Sequence, residues 1–220
     1  MRRFIVLALI ILSNAGCSTV PFQRTNYVQL DNVDPQLARR EFESTLPDSF
    51  KIINSIVFKY RWRSFSALGY LDADRELKTF SVSCLNPMGI KLFELSGDKD
   101  VVRTNYVLKE LLSKGDLPQV AGDDIRRIYF DNVPSGEAKA QKEKRRVVFS
   151  ESSGSGVIKY IFAGSPTMLV EKKYYEKNHL IWSVSYYEYH QERGKYYPSG
   201  IMLQNSRFDY SLIVRLKEVR

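Results

Sequence analysis

Phe58-Lys59-Tyr60-Arg61-Trp62-Arg63 sets an aromatic residue against a basic one three times in succession. A period of two is the pattern of a β-strand with one buried and one wet face. The alternation returns near the end of the chain, where Phe208, Tyr210, Leu212, Val214 and Leu216 are interleaved with Asp209, Ser211, Arg215 and Lys217. Between the two, further strands are expected at residues 66–71, 77–85, 89–95, 157–162, 167–174 and 180–189, with a shorter one at 201–203. Turn-forming residues separate them, among them Asp72-Ala73-Asp74-Arg75, Ser96-Gly97-Asp98, Gly164-Ser165-Pro166 and Lys177-Asn178. An antiparallel meander is the simplest arrangement.

Helices are expected at three places. Asp34 is a candidate N-cap with Pro35 in the first helical position; Leu37, Ala38 and Phe42 then share a face, Leu46 follows, and Pro47 ends the run. Residues 105–114 place Val107, Leu108, Leu111 and Leu112 on one side, with Gly115 as a stop. After Leu117-Pro118, residues 123–131 repeat the pattern with Ile125, Ile128 and Tyr129. Residues 137–145 are charged and read as a solvated loop. Strands, a helical insert and strands again give an α+β fold, an antiparallel sheet with helices on one face.

Composition agrees with a folded chain. Of 220 residues, 44% are hydrophobic and 26% charged, and 14 Tyr, 12 Phe and 2 Trp make it rich in aromatics. The 33 basic and 25 acidic residues give +8, which calls for an anionic partner or surface. Two cysteines cannot build a disulfide framework, and two histidines do not make a metal site.

The first 16 residues read as an export signal: Arg2 and Arg3, the apolar run 4–12, then Ser13-Asn14-Ala15-Gly16. Nine apolar residues are too few to span a bilayer. Cys17 follows, and Ala15-Gly16-Cys17 resembles a bacterial lipobox, in which the cysteine becomes the acylated first residue; Ser18 after it resembles an outer-membrane address. Two processing routes stand open: acylation at Cys17, or a cut after Ala15 that leaves Cys17 free to pair with Cys84 in an oxidising compartment. Residues 17–32 read as a tether, and 33–220 as the folded domain.

Most chemistry-bearing motifs have plainer explanations. Asp72, Asp74 and Glu76 lack the central glycine and distal glutamate of a calcium loop. Ser153-Gly154-Ser155-Gly156 does not match a nucleophile elbow and reads as a hairpin. His179 and His190 have no partner carboxylate or cysteine at ligand spacing. Arg61-Trp62-Arg63 and residues 142–146 could meet nucleic acid, but export favours anionic lipid headgroups instead. No nucleophile–base pair stands out, so an enzyme is not expected, and no cofactor or metal is implied.

Leu85-Asn86-Pro87-Met88-Gly89 is more informative. Asn-Pro and Gly between two apolar strands make a tight exposed loop. Met88 at its tip either folds back onto the sheet or projects as an apolar knob. Together with residues 90–95 and Ser96-Gly97-Asp98, Asn86-Pro87-Met88-Gly89 resembles the LolA/LolB superfamily of lipoprotein carriers, closest in pattern to LolB, whose loop reads Asn-Pro-Leu-Gly. The helical insert, Pro198-Ser199-Gly200-Ile201-Met202-Leu203 and residues 208–216 are also similar.

The resemblance implies an incomplete β-barrel whose open face is covered by helices, with an apolar cavity between. It implies an outer-membrane lipoprotein that binds acyl chains, accepts or inserts lipoproteins, receives cargo from a LolA-like periplasmic donor, and uses Met88 at the membrane. The cavity lining would then draw on Phe58, Tyr60, Trp62, Val82, Trp182, Val184 and Leu212 from strands. Val107, Leu108, Leu111, Ile125 and Ile128 would come from helices. A monomer is expected. The rival from the residues alone is an envelope scaffold lipoprotein with a filled core that binds a protein partner.

Overall fold

The computed structural model describes residues 21–112 and 116–220. Its strands are β1 (Ser49–Tyr60), β2 (Arg63–Asp74), β3 (Thr79–Leu85), β4 (Lys91–Gly97), β5 (Val102–Val107), β6 (Lys139–Glu143), β7 (Arg146–Ser153), β8 (Gly156–Ala163), β9 (Met168–Glu176), β10 (His179–Glu192), β11 (Lys195–Asn205) and β12 (Tyr210–Val219). Helices are α1 (Pro35–Thr45), α2 (Lys109–Leu112) and α3 (Leu117–Tyr129).

All twelve strands form one sheet in the order β5-β4-β3-β2-β1-β12-β11-β10-β9-β8-β7-β6. The first strand pairs with the last, Phe58 opposite Leu212 and Tyr60 opposite Tyr210, and every ladder is antiparallel. The free edges are β5 and β6, so the sheet is an unclosed barrel and α2 and α3 run from one edge to the other. Both edges are mostly solvated, with Arg103, Thr104 and Asn105 on one and Lys139, Gln141 and Lys142 on the other. Charged and polar edge strands resist pairing with other chains. The open antiparallel sheet with helices on one face is as the sequence implied.

Two clusters fill the inner face. The larger joins Phe42 of α1 to Phe149, Phe162, Trp182, Val184, Leu203 and Val214 of the later strands. The smaller joins Phe50, Ile52, Leu71, Phe80, Val82 and Leu95. In α1, Asp34 Oδ1 accepts the Leu37 N–H at 2.7 Å, and Phe42 packs edge-on against Phe162 at 5.3 Å. Leu37 does not share that face: it is 47% exposed, being one position from Ala38 and therefore off the stripe that Ala38 and Phe42 define.

Several expected elements move. Residues 105–114 are not one helix: 102–107 add to β4 as a strand, with Phe93 opposite Val107, and 109–112 are the helical ones among the described residues of that stretch. Val102, Thr104 and Tyr106 carry a strand period that overlaps the helical one, and an available sheet edge decides between them. The expected stop, Gly115, lies outside the described residues. Leu117-Pro118 opens α3 rather than linking two helices, with Asp116 as N-cap. The charged run 137–145 is mostly β6, a solvated edge strand instead of a loop. The β2–β3 turn falls at 75–78, three residues later than expected, because Asp72 and Asp74 stay in β2 opposite Lys51 and Ser49.

The N-terminal segment from Pro21 runs over the outer face. Phe22 stacks on Tyr187 at 5.3 Å and lies so close to β11 that a Cβ on Gly200 would fall 2.3 Å from its ring. Arg215 Nη2 donates to Pro21 O at 2.8 Å, and by Leu30 the chain has joined the inner core. Residues 21–32, expected as tether, are therefore fastened to the sheet.

Candidate functional site

Helix α3 lies across the seam between the two inner clusters. Ile128 enters the larger, Ala121 and Ile125 pack on the smaller, and Tyr129 touches both. Gly122 permits the approach to β5, since a Cβ there would sit 2.3 Å from Val102 Cγ2.

Polar bonds hold this helix at its middle and at its end. In the middle, Tyr210 Oη donates to Asp124 Oδ2 at 2.6 Å and accepts from Asn205 Nδ2 at 3.1 Å. Arg127 Nη1 donates to the other Asp124 oxygen at 2.9 Å. At its end, Tyr186 Oη lies 3.0 Å from Ile128 O and 2.9 Å from Asn132 Oδ1, and Lys172 Nζ donates to Asp131 O at 2.5 Å and Asn132 Oδ1 at 3.2 Å. Asn54 Nδ2 donates to Tyr129 Oη at 3.0 Å.

An acid and a base among these groups are buried. Burial pulls the Lys172 ammonium down to about 7, opposed by the nearby Asp131 carboxylate. Its Nζ also lies 6.0 Å from the centroids of the Tyr160 and Trp182 rings. Burial pushes the Asp124 carboxyl up to about 6, opposed by the Tyr210 hydrogen bond and by Arg127. Cys84 is a buried thiol, pushed up to about 12 by the same cause. Cys17, the other cysteine, lies outside the described residues, as does the export signal.

With α3 in place the inner face is nearly full. Among the described residues a cavity of about 40 Å³ lies on this face, walled by Phe50, Ile52, Tyr129, Tyr186, Tyr189 and Ile201 among others, with Arg75 and Pro47 at the α1 end. That is room for two or three waters at most, well below the roughly 300 Å³ at which ligand pockets begin. Of the expected lining, Ile128 borders this cavity. Val82, Trp182 and Val184 are solid core, and Phe58, Val107, Ile125 and Leu212 pack half-buried against it. Leu108 and Leu111 are half-buried around the four-residue α2, not on a long lid helix.

Trp62 requires a correction. It is 83% exposed and lines nothing, because β1 ends at Tyr60 and Arg61 (φ 52°) turns the chain into β2. The aromatic alternation runs across a hairpin tip. Tyr60 lies beside it, 38% exposed, and the Arg61 and Arg63 guanidiniums sit over the Tyr60 and Trp62 rings at 5.2 and 4.7 Å.

The Asn86–Gly89 loop is built to project. Asn86 Oδ1 accepts from both Met88 N and Ile90 N at 2.9 Å, Gly89 N donates to Asn86 O, and Gly89 takes φ +82°. Met88 is left 81% exposed. Sequence reasoning missed Asp124, Asn132, Lys172, Tyr186 and Tyr210, the groups that fasten the lid.

Among the described residues, no cluster of His, Cys, Asp and Glu could hold a metal, and no helix is long and apolar enough to cross a membrane. No family model matches the chain, and no curated protein matches it. Solved structures do. A LolA superfamily protein of Nitrosomonas europaea aligns with a TM-score of 0.56 at 12% identity, covering 86% of this chain and 93% of its own. A DUF1329 family protein of Desulfovibrio piger gives 0.54 at 9% identity, over 84% and 90%. A domain of Vibrio parahaemolyticus, described as a candidate outer-membrane lipoprotein-sorting domain, gives 0.51 at 10% identity, over the same shares. At these identities the likeness is one of fold, and the fold is that of the LolA superfamily structures.

Proposed function

We propose that this chain is a non-enzymatic carrier or acceptor of acyl chains in the bacterial envelope, anchored through an acylated Cys17 to the periplasmic face of the outer membrane. Cargo would arrive from a LolA-like donor and leave past the Met88 loop. The observation that carries the reading is the fastening of α3: an amphipathic helix laid over an aromatic face and tied by a few polar bonds. Bonds between neutral groups are worth only about 0.5–1.5 kcal/mol net, and those to Asp124 and from Lys172 about 1.5–3 kcal/mol when charged. The helix can therefore leave the face at far smaller cost than unfolding the sheet, and an acyl chain can take its place against the side chains it uncovers. A chain of about 16 carbons costs on the order of 12 kcal/mol to hold in water, at roughly 0.8 kcal/mol per methylene. A face that shelters it as well as a membrane does lets it pass without an energy source.

A second reading, a scaffold that binds a protein partner, is favoured by the filled inner face and its 40 Å³ cavity. Native mass spectrometry of the purified protein separates the two. Retained phospholipid or acyl chains support the carrier; a bare protein after exposure to lipid supports the scaffold. The anchor is read separately: labelled palmitate should be incorporated by the wild type and not by Cys17→Ala, and no label in the wild type removes the lipid anchor from the proposal.

A further inference from the structure

The large apolar side chains left in solvent gather at one end of the sheet. The β1–β2, β3–β4 and β11–β12 connections all lie there, since the register sets Tyr60 beside both Arg63 and Tyr210, and Leu85 beside Lys91. Their tips carry Trp62 (83% exposed), Met88 (81%) and Phe208 (55%), and Tyr60, Phe65 and Ile90 stand exposed just behind them. The connections at the opposite end expose Leu77 and Val101 and no aromatic ring. Sheet ends gain nothing in folding from bare Trp, Met and Phe, so a patch confined to one end marks a surface made for something else.

The charges around it are specific too. Arg61 and Arg63 flank Trp62, lie over aromatic rings, and have no carboxylate partner among the described residues. Tryptophan and tyrosine next to arginine is the composition that settles at a bilayer interface, ring in the headgroup layer and cation on the phosphates. The link to Cys17 is short as well. The described chain begins at Pro21, held against β12 by Arg215, and four Cα-to-Cα steps separate Pro21 from Cys17. Fully extended they reach about 14 Å, so an acylated Cys17 keeps the domain against the membrane.

We infer that this end of the sheet is an interfacial docking surface for an anionic phospholipid bilayer, with Trp62, Met88 and Phe208 as three separate apolar contacts and Arg61 and Arg63 as phosphate contacts. The surface goes beyond the Met88 loop. It rests on the proposed membrane address but does not require that the protein carry cargo. Three contacts on three hairpins fix the tilt of the sheet, where a single loop would leave the domain free to pivot.

Trp62 reports on the surface directly. The mature protein is mixed with vesicles of phosphatidylethanolamine and phosphatidylglycerol whose acyl chains are brominated, and tryptophan emission is followed. Trp182 is buried and serves as the internal reference, while Trp62→Phe identifies the Trp62 signal. The expected result is a blue shift and quenching of Trp62 that are absent in phosphatidylcholine vesicles. Arg61→Glu with Arg63→Glu should weaken vesicle binding at least about thirtyfold, the contribution of two basic residues at an anionic surface. Phe208→Ser and Met88→Ser should each reduce the quenching with circular dichroism unchanged.

A domain that hangs from its anchor without docking leaves Trp62 unquenched and unshifted, and overturns the inference. A blue shift without quenching by brominated lipid means that protein, not lipid, covers the surface, and overturns it as well. Quenching in a protein that retains no acyl chain in native mass spectrometry upholds docking and overturns the carrier. Retained acyl chains with an unquenched Trp62 do the reverse.

Discussion

Between pH 7 and 10 the wild-type protein should become more stable, and Lys172→Met should abolish that rise. Lys172 is completely buried, and its pKa falls from 10.5 to about 7 on folding. Across the interval the unfolded chain holds a proton at this position that the folded protein does not. Unfolding free energy therefore climbs as pH rises, by about 1.4 kcal/mol per unit at most, or up to roughly 4 kcal/mol over three units. Below pH 7 both states carry the proton, the slope vanishes, and the full cost of burying the ammonium remains. Near pH 10 the buried tyrosines, raised by desolvation, begin to pull the other way. Methionine keeps the length of the chain without the charge, and replacing a buried charge by an apolar group is often neutral or stabilising. Urea unfolding at several pH values checks this. A slope that survives in Lys172→Met assigns the titration elsewhere.

Asp124 titrates with the opposite sign. Its folded pKa of about 6 lies above the ordinary 3.8, so the stability it contributes is present in acid and is lost as pH rises toward 6. Between about pH 6 and 7 both costs fall together: the Asp124 carboxylate is ionised, the Lys172 ammonium is protonated, and both are buried beneath or beside α3. Opening the helix rehydrates both. The seated position of α3 is thus expected to be least favoured near neutrality, in keeping with the proposed opening for an acyl chain.

How much of this was legible depended on whether a residue's face could be counted. The β1 and β12 strands are legible from alternation because it holds along β1 to Tyr60 and from Tyr210 to Leu216, failing only at the hairpin Arg61-Trp62 and past Leu216, where a register shift brings Val219 inward. Lys172 could not be read that way. It sits in Glu171-Lys172-Lys173, which looks like a solvated charge run. The β8–β9 register shifts between Ile161 and Phe162, so Val170 and Glu171 both face outward and Lys172 is turned into the core behind Leu169. A one-residue bulge reverses every later side chain, and composition carries no sign of it. Asp124 was hidden differently. One acid among Asp123, Asp124, Arg126 and Arg127 looks like a wet helix face, and only the distant Tyr210 and Asn205 show that it points inward. The Asn86–Gly89 loop was legible because Asn, Pro and Gly at those spacings make one turn whatever surrounds them.

Tyr186→Phe should weaken the fold while strengthening acyl binding. The Tyr186 hydroxyl, fully buried, has one proton to share between Ile128 O in the last turn of α3 and Asn132 Oδ1 just past it, at 3.0 and 2.9 Å. Removing it takes away about 1–2 kcal/mol, including the penalty for acceptors left unpaired. That loss falls on the closed lid alone, so the open population rises about tenfold. A ligand that binds only the open form gains the same factor in apparent affinity, because its dissociation constant is the intrinsic value divided by the competent fraction. Tyr189→Phe is the control. Its hydroxyl bonds to Leu169 O within the sheet and not to α3, so it should cost similar stability with no gain in affinity. Titration with a fatty acid or an apolar dye, beside thermal unfolding of each variant, measures both quantities. Equal weakening of binding in the two variants would place Tyr186 in the wall of the binding face and leave α3 without a role as its lid.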